Sequence, residues 1–171
     1  MIKTNKLSEL LDANNPPFLT LARRKGTLPV RELRQTGDAL LAAIPEAKRN
    51  TALGLLLLWH DHGEEAHAVA QEREGRPDFD LLHALFHRRE GDYSNSIYWL
   101  DGAGKHPVFD LLGSRVKPVL AGEDSLRRKI IPGGTWNPGG FVAAVKSQPD
   151  HPVLRIVQAE EFLCFYAWLT D

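Results

Sequence analysis

Apolar residues recur every three or four positions through most of this 171-residue chain, which is the spacing of amphipathic helices. No segment alternates apolar and polar residues over a useful length, so the pattern predicts no β-strand. We therefore predict an all-α fold, with a helical turn over 30–34. The predicted helices cover residues 5–12, 39–44, 46–60, 64–74, 81–90, 94–103, 108–112, 123–129, 139–146 and 153–169.

Residues with known preferences for helix ends indicate where several of these helices begin. Asp38 is the predicted N-cap of helix 39–44, and Asp78 or Asp80 that of helix 81–90. Asp92 is placed to cap helix 94–103 through the amide of Ser94 or Asn95. Asn137 followed by Pro138 predicts the start of the helix over 139–146, because proline suits the first helical position.

The predicted helices form a single domain, 1–171, organised as a helical bundle. We divide it into a loosely structured extension (1–37), a helical-hairpin core (38–112), a loop-rich connection (113–135) and C-terminal helices (136–171). The segments 60–64 and 88–92 each place a glycine and an acidic residue between two helices. This similarity between the two turns predicts a pair of hairpins like those of tetratricopeptide repeats. Helix 46–60 is predicted to lie at the centre of the bundle because it is apolar on most sides.

Composition and charge narrow the possible functions. The net charge is −1 and the pI about 6.7, so no global field favours nucleic acid as a partner. The most apolar run, 53–59, is much shorter than the roughly 20 residues of a membrane-spanning helix. The N-terminus does not resemble a signal peptide, so we expect a cytoplasmic protein. Cys164 is the only cysteine and lies in an apolar run, which predicts a buried, inert thiol.

Two predicted helices carry polar stripes beside their apolar faces. His83, His87 and Glu90 share one edge of helix 81–90, and His67 and Gln71 share one edge of helix 64–74. If these helices pack on their apolar faces, the stripes converge. The predicted groove is lined by His67, Gln71, His83, His87, Glu90, Asp92, Tyr98 and Trp99.

Three functions are compatible with this groove. The first is binding of a small polar ligand or a peptide. The second is metal-dependent hydrolysis, with His67, His83 and His87 as ligands of a divalent ion such as zinc and Glu90 as a ligand or general base. The third is structural, with the histidines forming internal hydrogen bonds and the function lying elsewhere. The metalloprotease signature is absent, because Ala84 stands where its glutamate follows the first histidine.

A long motif surrounds the second stripe and reads His83-x3-His87-Arg88-x-Glu90-x-Asp92-x2-Asn95-x2-Tyr98-Trp99, followed by Gly104-x-His106-Pro107. This motif resembles a group of bacterial and fungal proteins with no established activity. The similarity covers roughly 50–168 and includes Ala66-His67, Gln71, Trp136-x-Pro138-x2-Phe141-Val142, Gln158 and Glu161-Phe162. Ser96 departs from the alanine common in that group. The resemblance implies that a site lies at the histidine stripe and implies no particular reaction.

Overall fold

A computed structural model describes residues 10–171 of the chain. Within that part the protein is all-α and has no strand, as predicted, and it contains nine α-helices. The helices are α1 (Val30–Leu40), α2 (Glu46–Trp59), α3 (Gly63–Ala70), α4 (Pro77–Glu90), α5 (Tyr93–Ala103), α6 (Val108–Val116), α7 (Asp124–Ile130), α8 (Pro138–Ser147) and α9 (Pro152–Thr170). None of these helices has both the length and the apolar character needed to cross a membrane.

Helix α2 is central, as its apolar circumference predicts. It contacts α1, α3, α4 and α9, and its residues 55–59 are almost completely buried. Gly54 allows the close approach of two neighbours, since a Cβ atom there would lie 2.5 Å from Leu82 of α4 and 2.9 Å from Val69 of α3. The core therefore fixes the position of α3 and α4, the two helices that carry the polar stripes.

The predicted helix over 39–44 is wrong. The structure instead extends the predicted turn at 30–34 into the eleven-residue helix α1, which runs through Gly37 and Asp38 to Leu40. Residues 41–44 are turns and bends. Gly37 does not end the helix because it packs against α2, where a Cβ atom would lie 3.2 Å from Leu53.

The region between α3 and α4 also differs from the prediction. α3 ends at Ala70 rather than residue 74, and a 3-10 turn, Gln71–Arg73, follows it. α4 begins at Pro77, with Arg76 in the N-cap position, so Asp78 and Asp80 lie inside the helix and neither is its N-cap. Proline is well suited to the first helical position, which explains the earlier start.

The other two predicted N-caps are confirmed. The Asp92 side chain accepts a hydrogen bond from the amide of Asn95 at 3.0 Å and caps α5. The Asn137 side chain accepts one from the amide of Gly140 at 3.0 Å and caps α8, with Pro138 in the first turn. Gly91, at φ 92°, ends α4 in the left-handed conformation that glycine adopts without strain. The α4–α5 turn is therefore fixed by local sequence.

Buried arginines hold the segment before α1 against the helices. Arg89 donates hydrogen bonds to the backbone oxygens of Phe18 and Thr20, and Arg24 donates to the backbone oxygen of Trp59. Both arginines also pair with the buried carboxylate of Asp61. These side chains donate hydrogen bonds to backbone oxygens that are not paired within a helix. The predicted helix over 5–12 lies largely outside the described residues, and Leu10 and Leu11 are in a turn and a bend.

Candidate functional site

Three imidazole rings meet where α3 packs against α4. The Nε2 atoms of His67 and His83 are 2.8 Å apart. The ring centroids of His67 and His87 are 5.2 Å apart, and one nitrogen from each of the three histidines lies within 4.8 Å of the others. The two polar stripes therefore converge, and we call these residues, His67, His83 and His87, the histidine cluster.

His83 is the most enclosed member of the cluster. It is 2% exposed, and its ring stacks against Trp99 at a centroid distance of 3.9 Å and against His87 at 4.8 Å. Its Nδ1 atom is buried and has no hydrogen-bond partner among the described residues. A buried polar nitrogen without a partner carries a desolvation cost that the fold does not repay.

The other two histidines are oriented by their neighbours. His67 is half-buried and stacks on Phe86 at 4.3 Å, with an angle of 10° between the ring planes. The Nδ1 atom of His87 is 2.8 Å from the Glu90 carboxylate. The Asn95 side-chain nitrogen lies 3.1 Å from Nε2 of His87. Asn95 is on α5, so the α4–α5 turn contributes directly to the cluster.

The environment favours neutral imidazoles at two of the three positions. Burial, followed by the proximity of His87 and His67, lowers the pKa of His83 to about 3. Burial also lowers the pKa of His67, with His87 again contributing. Neutral imidazole is the form that binds metal ions.

The remaining residues of the predicted groove divide into two groups. Trp99 lies against His83, and Glu90 and Asp92 form a second possible metal-binding group with His87, again within 4.8 Å. Gln71 is exposed in the 3-10 turn after α3, and Tyr98 is 65% exposed with its ring edge towards Trp99.

Two polar groups of α4 were not predicted as site residues. Asp80 is buried in the first turns of α4 and accepts a hydrogen bond from the amide of Gly75 at 2.9 Å. Asp78 accepts hydrogen bonds from His106 at 2.8 Å and from Trp168 at 3.1 Å. The sequence offers no signal for either, because acidic residues in the first turn of a helix are common without any other role.

The predicted inert thiol is confirmed as buried. Cys164 is 7% exposed in α9, and burial raises its pKa, so the reactive thiolate is disfavoured. Cys164 therefore adds nothing to the candidate site.

Comparison of this chain with family models, with curated proteins and with solved structures finds no match. The resemblance to bacterial and fungal proteins at the histidine stripe stays a prediction from the motif. The site is therefore interpreted from its own geometry.

Proposed function

We propose that the protein binds a divalent metal ion of the zinc class at the histidine cluster, with His67, His83 and His87 as ligands. The observation that carries this proposal is the presence of three imidazole nitrogens within 4.8 Å of one another. Zinc–nitrogen bonds of about 2.0–2.1 Å in a tetrahedral site place ligand nitrogens about 3.4 Å apart. To reach that spacing, the three nitrogens would have to shift by roughly 1 Å.

The protonation state and burial of the rings support the same proposal. The pKa of His83, at about 3, leaves its ring neutral at physiological pH, and the pKa of His67 is lowered as well. A bound ion would also replace the His67–His83 contact, in which only one of two neutral rings donates a proton. The metal would thus offset part of the cost of burying these polar rings.

Glu90 fits the role of a positioning residue for His87. Metal-binding histidines commonly donate their other ring N–H to a carboxylate, which fixes the orientation of the ring. The Glu90 carboxylate lies 2.8 Å from Nδ1 of His87 and its side chain is 44% exposed. Ligation through Nε2 of His87 requires the Asn95 side chain, 3.1 Å away, to move aside.

Metal-dependent hydrolysis is the enzymatic form of this proposal. Three histidine ligands leave one tetrahedral position for water, and a zinc-bound water ionises near neutral pH. The Glu90 and Asp92 carboxylates are near enough to His87 to accept a proton from such a water or to complete the coordination. A metal-free groove for a polar ligand or peptide is the competing proposal.

The cytoplasmic location and the tetratricopeptide-like hairpins stay predictions.

Elemental analysis of the full chain, purified without a histidine tag and reconstituted with zinc, tests metal binding. We expect about one zinc per chain in the wild-type protein and its loss in His67→Ala and His83→Gln. His151→Ala is the matched control, because His151 caps α9 and is not part of the cluster.

Circular dichroism of each variant separates metal loss from unfolding. His67 is only half-buried, so His67→Ala is expected to stay folded even where His83→Gln does not. Zinc is also expected to raise the melting temperature of the wild type and not that of His67→Ala, because a ligand stabilises only the state that binds it. Failure of zinc to bind the wild type, or full retention in both variants, overturns the proposal.

A further inference from the structure

A cavity of about 540 Å³ is lined in part by Trp99, whose ring stacks on His83 of the histidine cluster. Three carboxylates line it, those of Glu74, Asp80 and Asp101, together with two aromatic side chains, Tyr98 and Trp99. None of the described residues that line it is basic. The cavity is therefore negatively charged and aromatic, which is the combination that attracts organic cations.

Asp80 is the buried carboxylate among the three that line this cavity. Its side chain is 1% exposed, which is costly for a carboxylate unless it is paired. Oδ1 accepts the Gly75 amide, but Oδ2 accepts no hydrogen bond from residues 10–171. A Cβ atom at Gly102 would lie 3.0 Å from Oδ2, and both glycines line the cavity. This oxygen, unpaired as far as residues 10–171 are concerned, thus lies at the cavity wall.

The negative charge of Asp80 is not balanced by a positive charge in the cavity wall. Burial raises the pKa of Asp80, and the negative charge of Glu74 raises it further, while the hydrogen bond from Gly75 opposes both. A cation in the cavity would pair with both carboxylates and relieve this repulsion.

Tyr98 and Trp99 supply the apolar part of the wall. Their rings are 5.1 Å apart and nearly perpendicular, at 83°. Tyr98 is 65% exposed, which leaves its ring available to a ligand. Trp99 is fixed by stacking on His83, so this aromatic corner is attached to a rigid part of the fold.

We propose that this cavity binds a small organic cation with N–H donors, a primary ammonium or a guanidinium group attached to a short carbon chain. The Oδ2 atom of Asp80 and the carboxylate of Glu74 accept its N–H groups, and Tyr98 and Trp99 pack against its charge and carbon chain. This binding goes beyond the proposed metal site and does not depend on a bound metal.

Titration of the full-length, isotope-labelled protein with n-butylammonium and n-butylguanidinium chloride, followed by NMR, tests the proposal. We expect saturable shifts of the Gly75 and Gly102 amides and of the Trp99 indole N–H. Sodium chloride and tetramethylammonium chloride are the comparison salts, since neither cation has an N–H donor. Equal shifts with sodium, or equally tight binding of tetramethylammonium, overturn the proposal.

Variants separate the roles of charge and aromatic ring. We expect Tyr98→Ala to weaken butylammonium binding by about two- to fivefold. Asp80→Asn retains an oxygen for the Gly75 amide and is expected to weaken binding by about tenfold or more. Asp110→Asn, an exposed acid in the first turn of α6 outside the cavity, is the control and should bind as the wild type does.

The outcome is independent of the metal test. Tyr98 is exposed, so Tyr98→Ala is expected to fold even if Asp80→Asn does not, and unchanged affinity in Tyr98→Ala overturns the proposal. The titration is repeated with chelator present. Cation binding that survives chelator while zinc binding is absent rejects only the metal site, and the reverse result rejects only the cation site.

Discussion

Asp61 is the residue whose replacement should destabilise this protein most clearly. It lies in the turn between α2 and α3, and its fully buried carboxylate pairs with Arg24 at 2.9 Å and with Arg89 at 2.8 Å. Asp61→Asn keeps the size of the side chain but leaves two buried guanidinium groups without a counter-charge. We expect the free energy of unfolding, measured in urea, to fall by about 3–5 kcal/mol.

The exposed pair between Arg127 and Asp124 supplies the control. Asp124→Asn removes an ion pair of similar length, 2.8 Å, in which both side chains are about half exposed or more. Such pairs contribute less than about 1 kcal/mol because water screens them. Similar losses for the two variants would contradict the structural role assigned to Asp61.

Acid pH provides a second check on Asp61. Burial alone would raise its pKa, but the hydrogen bonds from Arg24 and Arg89 and the charge of Arg89 lower the pKa overall. A carboxyl group with a lowered folded-state pKa contributes stability that is fully present above its unfolded pKa and is lost as pH falls through the folded value. The stability difference between wild type and Asp61→Asn should therefore be constant near neutral pH and shrink below about pH 4.

At the residue scale, the sequence predicted part of the site and missed the rest for a physical reason. Helical spacing is enough to place His67, His83 and His87 on converging edges, because that spacing depends only on backbone geometry. Gln71 was also placed there, but α3 tightens into a 3-10 turn and leaves it exposed. The position of the Asp80 Oδ2 atom beside Gly102 depends on how α4 and α5 pack, and no local sequence pattern encodes that packing.

At the scale of helices, the predicted ends are most accurate where a side chain caps the backbone. Asp92 and Asn137 cap α5 and α8 as predicted, because capping involves residues only three positions apart. The prediction failed at Asp38, the expected N-cap of helix 39–44, which lies inside α1 next to Gly37 and its contact with Leu53. Tertiary contacts therefore determine where a helix begins or ends when the local sequence signals are ambiguous.

Gly140 tests how closely α8 approaches the end of α7. A Cβ atom at this position would lie 2.0 Å from the backbone oxygen of Lys129 and 2.7 Å from the Asn137 side chain. Gly140→Ala must therefore displace α8 or break its cap, and we expect it to lower the free energy of unfolding by about 1–3 kcal/mol. Thermal denaturation followed by circular dichroism measures the change.

The neighbouring glycine is a matched control on the same helix. A Cβ atom at Gly139 would make only ordinary contacts, 3.7 Å from Asn137 and from Ile97. Gly139→Ala should leave stability unchanged or raise it by up to about 1 kcal/mol, since alanine loses less backbone entropy in a helix. Equal destabilisation by the two alanines would reject the proposed contact between α7 and α8.

At the scale of the whole molecule, the irregular segment before α1 is held by side chains from distant helices. Gln158 and Arg155 of α9 donate hydrogen bonds to backbone oxygens of residues 16–18, and Arg89 of α4 donates to those of Phe18 and Thr20. The segment therefore joins the N-terminal part of the described chain to its C-terminal helix. Its hydrogen bonds span up to 141 positions, which is why the sequence pattern gave no indication of them.

Arg155 is the anchor of this segment that can be removed with least disturbance to the core. It donates to the backbone oxygen of Pro16 at 3.0 Å, and its guanidinium group lies 4.4 Å from the centre of the Phe18 ring. Removing these contacts should raise the population of molecules in which residues 16–20 are detached while the helices stay folded. We expect Arg155→Ala to accelerate chymotrypsin cleavage after Phe18 by roughly tenfold, as loss of one charged hydrogen bond implies. Arg115→Ala, which removes the partly exposed pair with Glu160 on α9, should cleave at the wild-type rate. If both variants are cleaved after Phe18 as slowly as the wild type, Gln158 and Arg89 alone hold the segment in place.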